Sequence, residues 1–367
     1  KKIVPKEKDQ ESLYTVFPLV GSSAHILPFS INCHDFEPTT ERNALILDGE
    51  EIINDEETKT CKNRKILLNS IDLFEKMVNY LNENQYSDLH ELTVGLILYE
   101  KPYNTFDMIW YKEQFLVKLR KVLSSRVTVK TINDESIILD DVFIPERKMY
   151  DEFIPKFIDL SVTRKYYPNM ISTAECLIWR KRLWDTFQYV SIENVIEKVK
   201  NDDSILTEEG LSSLNEFISF IYKCNKVLLE KYALIPDMNN NFHRMNESNF
   251  KRSNKVNDTI INMMEDISIP WKSTHMNKDI HEEIFCNEIK EDKISDAEMS
   301  IIDKIKQEKQ LSTKLMKYVL LNDKNRENMF YFVTKVGIEN SSQITIVSID
   351  PSIWKLADDY VLRKIVD

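Results

Sequence analysis

Beginning at Arg64 the chain reads RKILLNSIDLFEKMVNYLNEN, in which Leu67, Ile71, Phe74, Val78 and Leu81 recur by threes and fours. That spacing lines them up on one face and predicts an amphipathic helix. The period returns in FDMIWYKEQFLVKLRKVL and in EEGLSSLNEFISFIYKCNKVLLEKY, where Leu211, Leu214, Ile218, Ile221 and Leu228 share a face. SIENVIEKVKN reads as a helix capped by Ser191, with Asn194 short of a full capping box, and DAEMSIIDKIKQEKQ as a further one.

Before and between these helices the pattern is shorter. YTVFPLV and HILPFSINC read as strands, TTERNALIL begins another apolar run, and LHELTVGLILYE suits a buried strand or a helix. RVTVKTI and ESIILDDVFI read as a hairpin turning at Asn133 and Asp134. In ALIPDMNNNFHRMNE an apolar strand, a proline, an asparagine turn over Asn239 to Asn241 and a polar strand make a small hairpin. The stretch from Lys272 to Lys293 is polar with mixed charge and reads as a long surface loop. Near the end, ENMFYFVTKV reads as helix and SQITIVSI as strand or extended link. Asp350 and Pro351 then open a last helix that buries Trp354, Leu356, Tyr360, Val361 and Ile365. This order of elements predicts an α+β protein: an α/β layer domain over 1–160, then a mostly helical domain over 161–367 with a hairpin near 232–245.

Composition narrows the functional classes. At 367 residues and 42% hydrophobic, the chain can bury a large core and divide into domains. No apolar run is long enough to span a bilayer, and the opening KKIVPKEKDQES lacks the apolar core of a secretion signal, so a cytoplasmic location and no membrane partner are expected. Cys33, Cys61, Cys176, Cys224 and Cys286 are odd in number, scattered and never in a C-x-x-C pair, as expected of reduced thiols. A net charge of -11 argues against a generic nucleic-acid coat while leaving room for a local basic patch. Only five glycines are present, with no G-x-x-x-x-G-K and no G-x-G-x-x-G. Without such loops no complete nucleotide site, and no cofactor, is expected within this chain.

Several residues could carry chemistry. Arg42 stands between two apolar runs, as a catalytic cation or as a surface arginine paired with Glu41 or Asp48. In VTRKYYPNMISTAECLIWRKRLWDTF, Arg164, Lys165, Arg180, Lys181 and Arg182 interleave with Tyr166, Tyr167, Trp179, Trp184 and Phe187. Single-stranded nucleic acid is bound by such interleaving, but a linker whose rings are buried and whose cations stay wet shows the same pattern. His25, Cys33, His34 and Cys61 match no structural zinc spacing, and HEEIF at His281 lacks the second histidine of H-E-x-x-H. Pro236-Asp237 with Glu291-Asp292-Lys293 is superficially like a metal-dependent nuclease core, with the second half placed in a polar loop.

LYTVFPLVGSSAHILPFSINCHDFEPTTERNALIL resembles the segment that immediately follows the ATPase domain in bacterial sacsin-like proteins of the GHKL superfamily, relatives of the ninety-kilodalton heat-shock chaperones. Phe17, Pro18, Leu19, Gly21, Pro28, Phe29, Ile31, Asn32, Phe36, Pro38 and Arg42 match that family's phrase. Downstream, LLEKYALIPDMNNNFHRMNE is similar to a second family phrase through Leu228, Leu229, Ile235, Pro236 and Phe242. There Asp237 and Met238 replace an Asn-Gln pair, and Asn241 stands for a turn glycine whose left-handed conformation asparagine tolerates.

The resemblance implies an ATPase domain with E-x-x-x-N and D-x-G-x-G boxes. Glu50 to Asn54 and Glu75 to Asn79 echo the first box without the second, so the chain would be the region C-terminal to that domain. ATP and magnesium are then implied for the full-length protein, which would be the ATPase, while this chain alone would not hydrolyse ATP. Its implied role is to couple the nucleotide state of the N-terminal domain to a protein client or partner, chaperone-like or in prokaryotic defence, with a homodimer possible. In the heat-shock relatives the corresponding domain sends an arginine to the ATP γ-phosphate, and Arg42 is the matching residue here. The alternative is a nucleic-acid-binding module of a defence protein, contacting single strands through Arg164, Arg180, Lys181 and Arg182.

Overall fold

A computed structural model describes residues 2–308 apart from 5, 8–9, 23–24, 26, 98–102, 254–255 and 257. The helix, strand and final helix expected beyond residue 308 lie outside the described residues. The described chain is α+β, with helices and strands that pair only two at a time. It forms two compact units, Lys1–Val195 and Ile196–Asp367.

In the first unit, β1 (Leu13–Tyr14) pairs in parallel with β2 (Ile31–Asn32), in register Leu13 to Ile31. A hairpin of β3 (Ile52–Ile53) and β4 (Glu56–Glu57) leads into α1 (Lys59–Glu83). Thr58 caps α1 by accepting the Cys61 amide, and Leu67, Ile71, Phe74 and Val78 are buried as their spacing predicts. Met108–Trp110 (α2) continues through a π-type stretch into α3 (Val117–Arg126) as one helical run, and α1 packs on α3. Leu89–Thr93 is a single 3-10 turn, so LHELTVGLILYE does not form the strand or helix its apolar run suits within the described residues. β5 (Thr128–Lys130) and β6 (Ser136–Ile138) form the expected hairpin, with Asp134 at φ 60 in its turn.

After β7 (Phe143–Pro145) come α4 (Ile154–Asp159), α5 (Ser161–Tyr166), α6 (Thr173–Trp179) and β8 (Gln188–Val190). The division between units falls after Val195, whereas the order of elements placed a domain boundary near residue 160. The reason is non-local: β8 returns to pair in parallel with β7, Phe143 opposite Gln188, and α5 and α6 pack with α4. Helix α7 (Ile192–Lys200) begins with a reciprocal cap, in which the Asn194 amide donates to Ser191 Oγ and the Ser191 amide donates to Asn194 Oδ1. Asn194 thus does the work of the acidic residue in a full capping box.

In the second unit, α8 (Glu208–Asn225) buries Leu211, Leu214, Ile218 and Ile221, and α9 (Val227–Lys231) buries Leu228. β9 (Ile235–Pro236) and β10 (Phe242–His243) form the expected hairpin, followed by α10 (Asp258–Asp266) and α11 (Ile294–Gln307). The surface loop expected over Lys272 to Lys293 is instead packed chain. Asp237 bridges Met276, Lys251 bridges His275 and Arg252 bridges Glu291, so these segments lie side by side with the hairpin. Met276, Ile280, Phe285 and Ile289 are buried there. Few apolar residues, without period, are enough when most of them are interior, which is why the polar average misleads. Among the described residues no helix is long and apolar enough to cross a membrane.

Candidate functional site

Two turns of the resemblance phrase, one after β1 and one at Arg42, meet through Thr15 and Gly21. After β1 the chain doubles back: the Leu19 amide donates to the Leu13 carbonyl at 2.9 Å, burying Leu19 beside Leu13. The three apolar residues that remain, Val16, Phe17 and Val20, stand in solvent at 73%, 73% and 69% exposure. The Glu11 carboxylate accepts the Gly21 amide at 3.0 Å and the Ser22 hydroxyl at 2.8 Å, closing the loop. Gly21 sits at φ 96, and a Cβ there would lie 2.9 Å from the Asn43 carbonyl oxygen, so glycine is required where the two turns touch.

Arg42 occupies the opposing turn. The Thr39 amide donates to the Ala44 carbonyl and the Arg42 amide to the Thr39 carbonyl, both at 2.9 Å, and Arg42 is left at φ 57. A β-carbon in this left-handed region carries strain that the surroundings must hold. They do so from α1: Asn63, fully buried, accepts the Glu37 amide at 2.9 Å and donates to the carbonyls of Glu37 at 2.8 Å and Ile46 at 3.0 Å. The guanidinium of Arg42 donates through Nη2 to Thr15 Oγ1 at 2.9 Å, which sets it next to the exposed loop. Neither Glu41 nor Asp48 pairs with it, and among the described residues no carboxylate is within ion-pair distance.

A chain of polar groups, buried at Ser12 and His25 and partly open at its ends, runs from Lys6 to Tyr103. Lys6 donates to Ser12 Oγ, Ser12 donates to the His25 carbonyl, and His25 Nε2 meets the Tyr103 hydroxyl. Burial lowers the Lys6 ammonium, with Glu11 opposing, and depresses His25 to about 3, with Lys6 adding to the effect. A lysine beside a serine hydroxyl has the makings of a nucleophile. Here Ser12 is fully buried and its proton is committed to a carbonyl, so the pair is architecture.

The other sequence candidates are placed differently. Tyr167, Trp179, Trp184 and Phe187 are buried, and Tyr166 is half-buried beneath Lys165. Arg180, 2% exposed, donates to the carbonyls of Glu146 at 2.6 Å and Met149 at 2.8 Å and to Asp151 at 2.5 Å. Arg164 pairs with Asp159, Lys181 with Asp151 and Arg182 with Glu91. Base stacking needs open rings, and four of these five rings are spent in the core.

The nuclease-like carboxylates do come within one unit, but Asp237 is consumed by its own turn. Its Oδ1 accepts the amides of Asn239 and Asn241 at 2.8 Å each, and its Oδ2 accepts Asn241 Nδ2 at 3.1 Å and faces His243 Nε2 at 3.2 Å. Asp292 is tied to Lys251 at 2.7 Å and to His275 at 3.3 Å. Among the described residues no three His, Cys, Asp or Glu side chains are grouped to hold a metal ion. In that hairpin the left-handed residue is Asn240, at φ 67, one place before the Asn241 that the family glycine suggested.

Glu11, Thr15 and Asn63, which hold the Arg42 surface, were not singled out from sequence. Asn63 had a signal: it is a polar residue one turn before Leu67 on the apolar stripe of α1. Thr15 and Glu11 had none. Set against family models, curated proteins and solved structures, the chain matches none.

Proposed function

We propose that this chain is the region following the ATPase domain of a sacsin-like GHKL ATPase, coupling the nucleotide state of that domain to client or partner binding. The observation that carries this is the apolar tip Val16, Phe17 and Val20, left in solvent beside a guanidinium that has a hydroxyl acceptor and, among the described residues, no carboxylate. Apolar side chains exposed together in this way are characteristic of a surface that another domain covers. An arginine without a carboxylate keeps its charge available for phosphate oxygens. In this proposal the ATPase domain covers the tip, binds ATP and magnesium, and receives Arg42 at the γ-phosphate; the protein works in the cytoplasm, as a chaperone-like or defence ATPase.

The test uses the full-length protein. Arg42→Ala should leave nucleotide affinity nearly unchanged and lower the hydrolysis rate, since the contact strengthens as charge develops in the transition state. Arg42→Lys should not restore the rate, because the planar fork is lost. Equal steady-state rates for wild type and both variants, with unchanged melting, would retire the catalytic role.

A further inference from the structure

The hairpin of β3 and β4 leaves two isoleucines in water where nothing local requires them. Ile52 is 61% and Ile53 52% exposed. The turn between the strands is tight, with Asn54 at φ 50 and Asp55 at φ 63, the twist-matched geometry of a two-residue hairpin loop. Its base is clamped to the start of α1: Thr58 Oγ1 donates to the Glu50 carbonyl at 2.6 Å, Thr60 Oγ1 to the Asp48 carbonyl at 2.9 Å, and Arg64 pairs with Glu51 at 2.8 Å. Lys65 pairs with Glu57. The isoleucines are therefore presented on a stiff support, which lowers the ordering cost of binding.

Two features define what could cover them. Adjacent strand residues face opposite sides, so each face of the ribbon presents one isoleucine beside a cross-strand carboxylate, Ile52 opposite Glu57 and Ile53 opposite Glu56, the shape of a wedge rather than of a flat patch. Around them Asp48, Glu50, Glu51, Asp55, Glu56 and Glu57 are all exposed. Only Glu51 and Glu57 have cation partners among the described residues. We propose that this hairpin tip is a docking wedge for a protein partner presenting an apolar slot rimmed by lysine or arginine. The carboxylates repel nucleic acid, anionic membrane and a second copy of the same tip, and steer a basic surface toward the isoleucines. This proposal stands apart from Arg42 and from the ATPase assignment.

The probe is a fluorescent amphipathic peptide of leucine and lysine, with versions carrying glutamate for lysine or serine for leucine. Anisotropy titrations should show binding of the leucine-lysine peptide that weakens with salt, and neither control peptide should match it. The double variant Ile52→Ser, Ile53→Ser should bind at least about tenfold more weakly, the loss expected for removing buried aliphatic area. Its melting should change little, because both side chains are more than half exposed. Leu73→Ser, altering a 66% exposed leucine elsewhere on α1, should bind like wild type. Equal binding by the double variant, or an equal loss in Leu73→Ser, would overturn the proposal. Self-association that disappears in the double variant would also overturn it, by assigning the tip to a second copy.

Discussion

Asp237 shows how one side chain can decide a local fold. Its carboxylate, fully buried, organises the MNNNFH turn through the Asn239 and Asn241 amides, so Asn240 can take its left-handed conformation without a glycine. Asp237→Ala removes the acceptor that ties both amides to the buried start of the turn and should cost about 2 kcal/mol of stability. Asp237→Asn retains an acceptor oxygen for the amides and should cost less, in keeping with the asparagine of the resembling phrase. Urea unfolding of the two variants checks the order; an alanine variant as stable as wild type would show that the turn holds itself. Arg42 is the contrasting case. Its left-handed backbone is upheld from a distance, by Asn63 on α1 and by the contact of Gly21 with the Asn43 carbonyl.

For single elements, propensity and packing can point in opposite directions, and α8 provides a test. Gly210 lies in its first turn, where alanine ordinarily stabilises a helix by about 1 kcal/mol. A Cβ at Gly210 would fall 2.3 Å from the Ser204 carbonyl oxygen and 2.6 Å from the Ile205 backbone, against the 3-10 turn Asp203–Leu206. Backbone cannot move aside as a flexible side chain does. Gly210→Ala should therefore lower stability, by about 2 kcal/mol, and a calorimetric melting temperature above wild type would contradict the contact. The helices that were legible from period, α1, α3, α8 and α11, are those whose buried faces repeat every three or four residues. The 3-10 turn at Leu89–Thr93 and the bridged segments between Lys272 and Lys293 have no such repeat.

On the scale of the whole molecule, two buried histidines make stability depend on pH. Burial depresses His25 from its ordinary 6.5 to about 3, with Lys6 adding to the effect. Burial also lowers His275, although Asp292 and the Trp271 carbonyl pull the other way and Lys251 assists the lowering. Both folded-state values lie below the unfolded one, so the unfolded chain binds more protons as pH falls below 6.5. Their contribution is fully present above that pH and is lost progressively beneath it, for His25 down to about 3. Thermal unfolding should show a falling melting temperature between about pH 6.5 and 5, where most carboxylates are still ionised. A variant with His25→Gln and His275→Gln should show a shallower slope in that window, whatever its absolute stability. Identical slopes would mean that neither histidine titrates differently in the folded and unfolded states.

What the sequence determined by itself is local. The stripe of α1, the hairpin turning at Asp134, the cap between Ser191 and Asn194 and the turn after Pro236 each depend on residues a few positions apart, and spacing alone records them. Tertiary structure decided what depends on distant partners. β8 returning to β7 places residues 161–195 in the first unit, and Arg180 leaves the surface because the carbonyls of Glu146 and Met149 and the Asp151 carboxylate replace its water. The Arg42 surface belongs to this second kind: the arginine is visible in the phrase, but Thr15, Gly21 and Asn63 give it a fixed position. A period reports which way a side chain faces, and only the closing of long loops, whose entropy the packed core offsets, determines what it meets there.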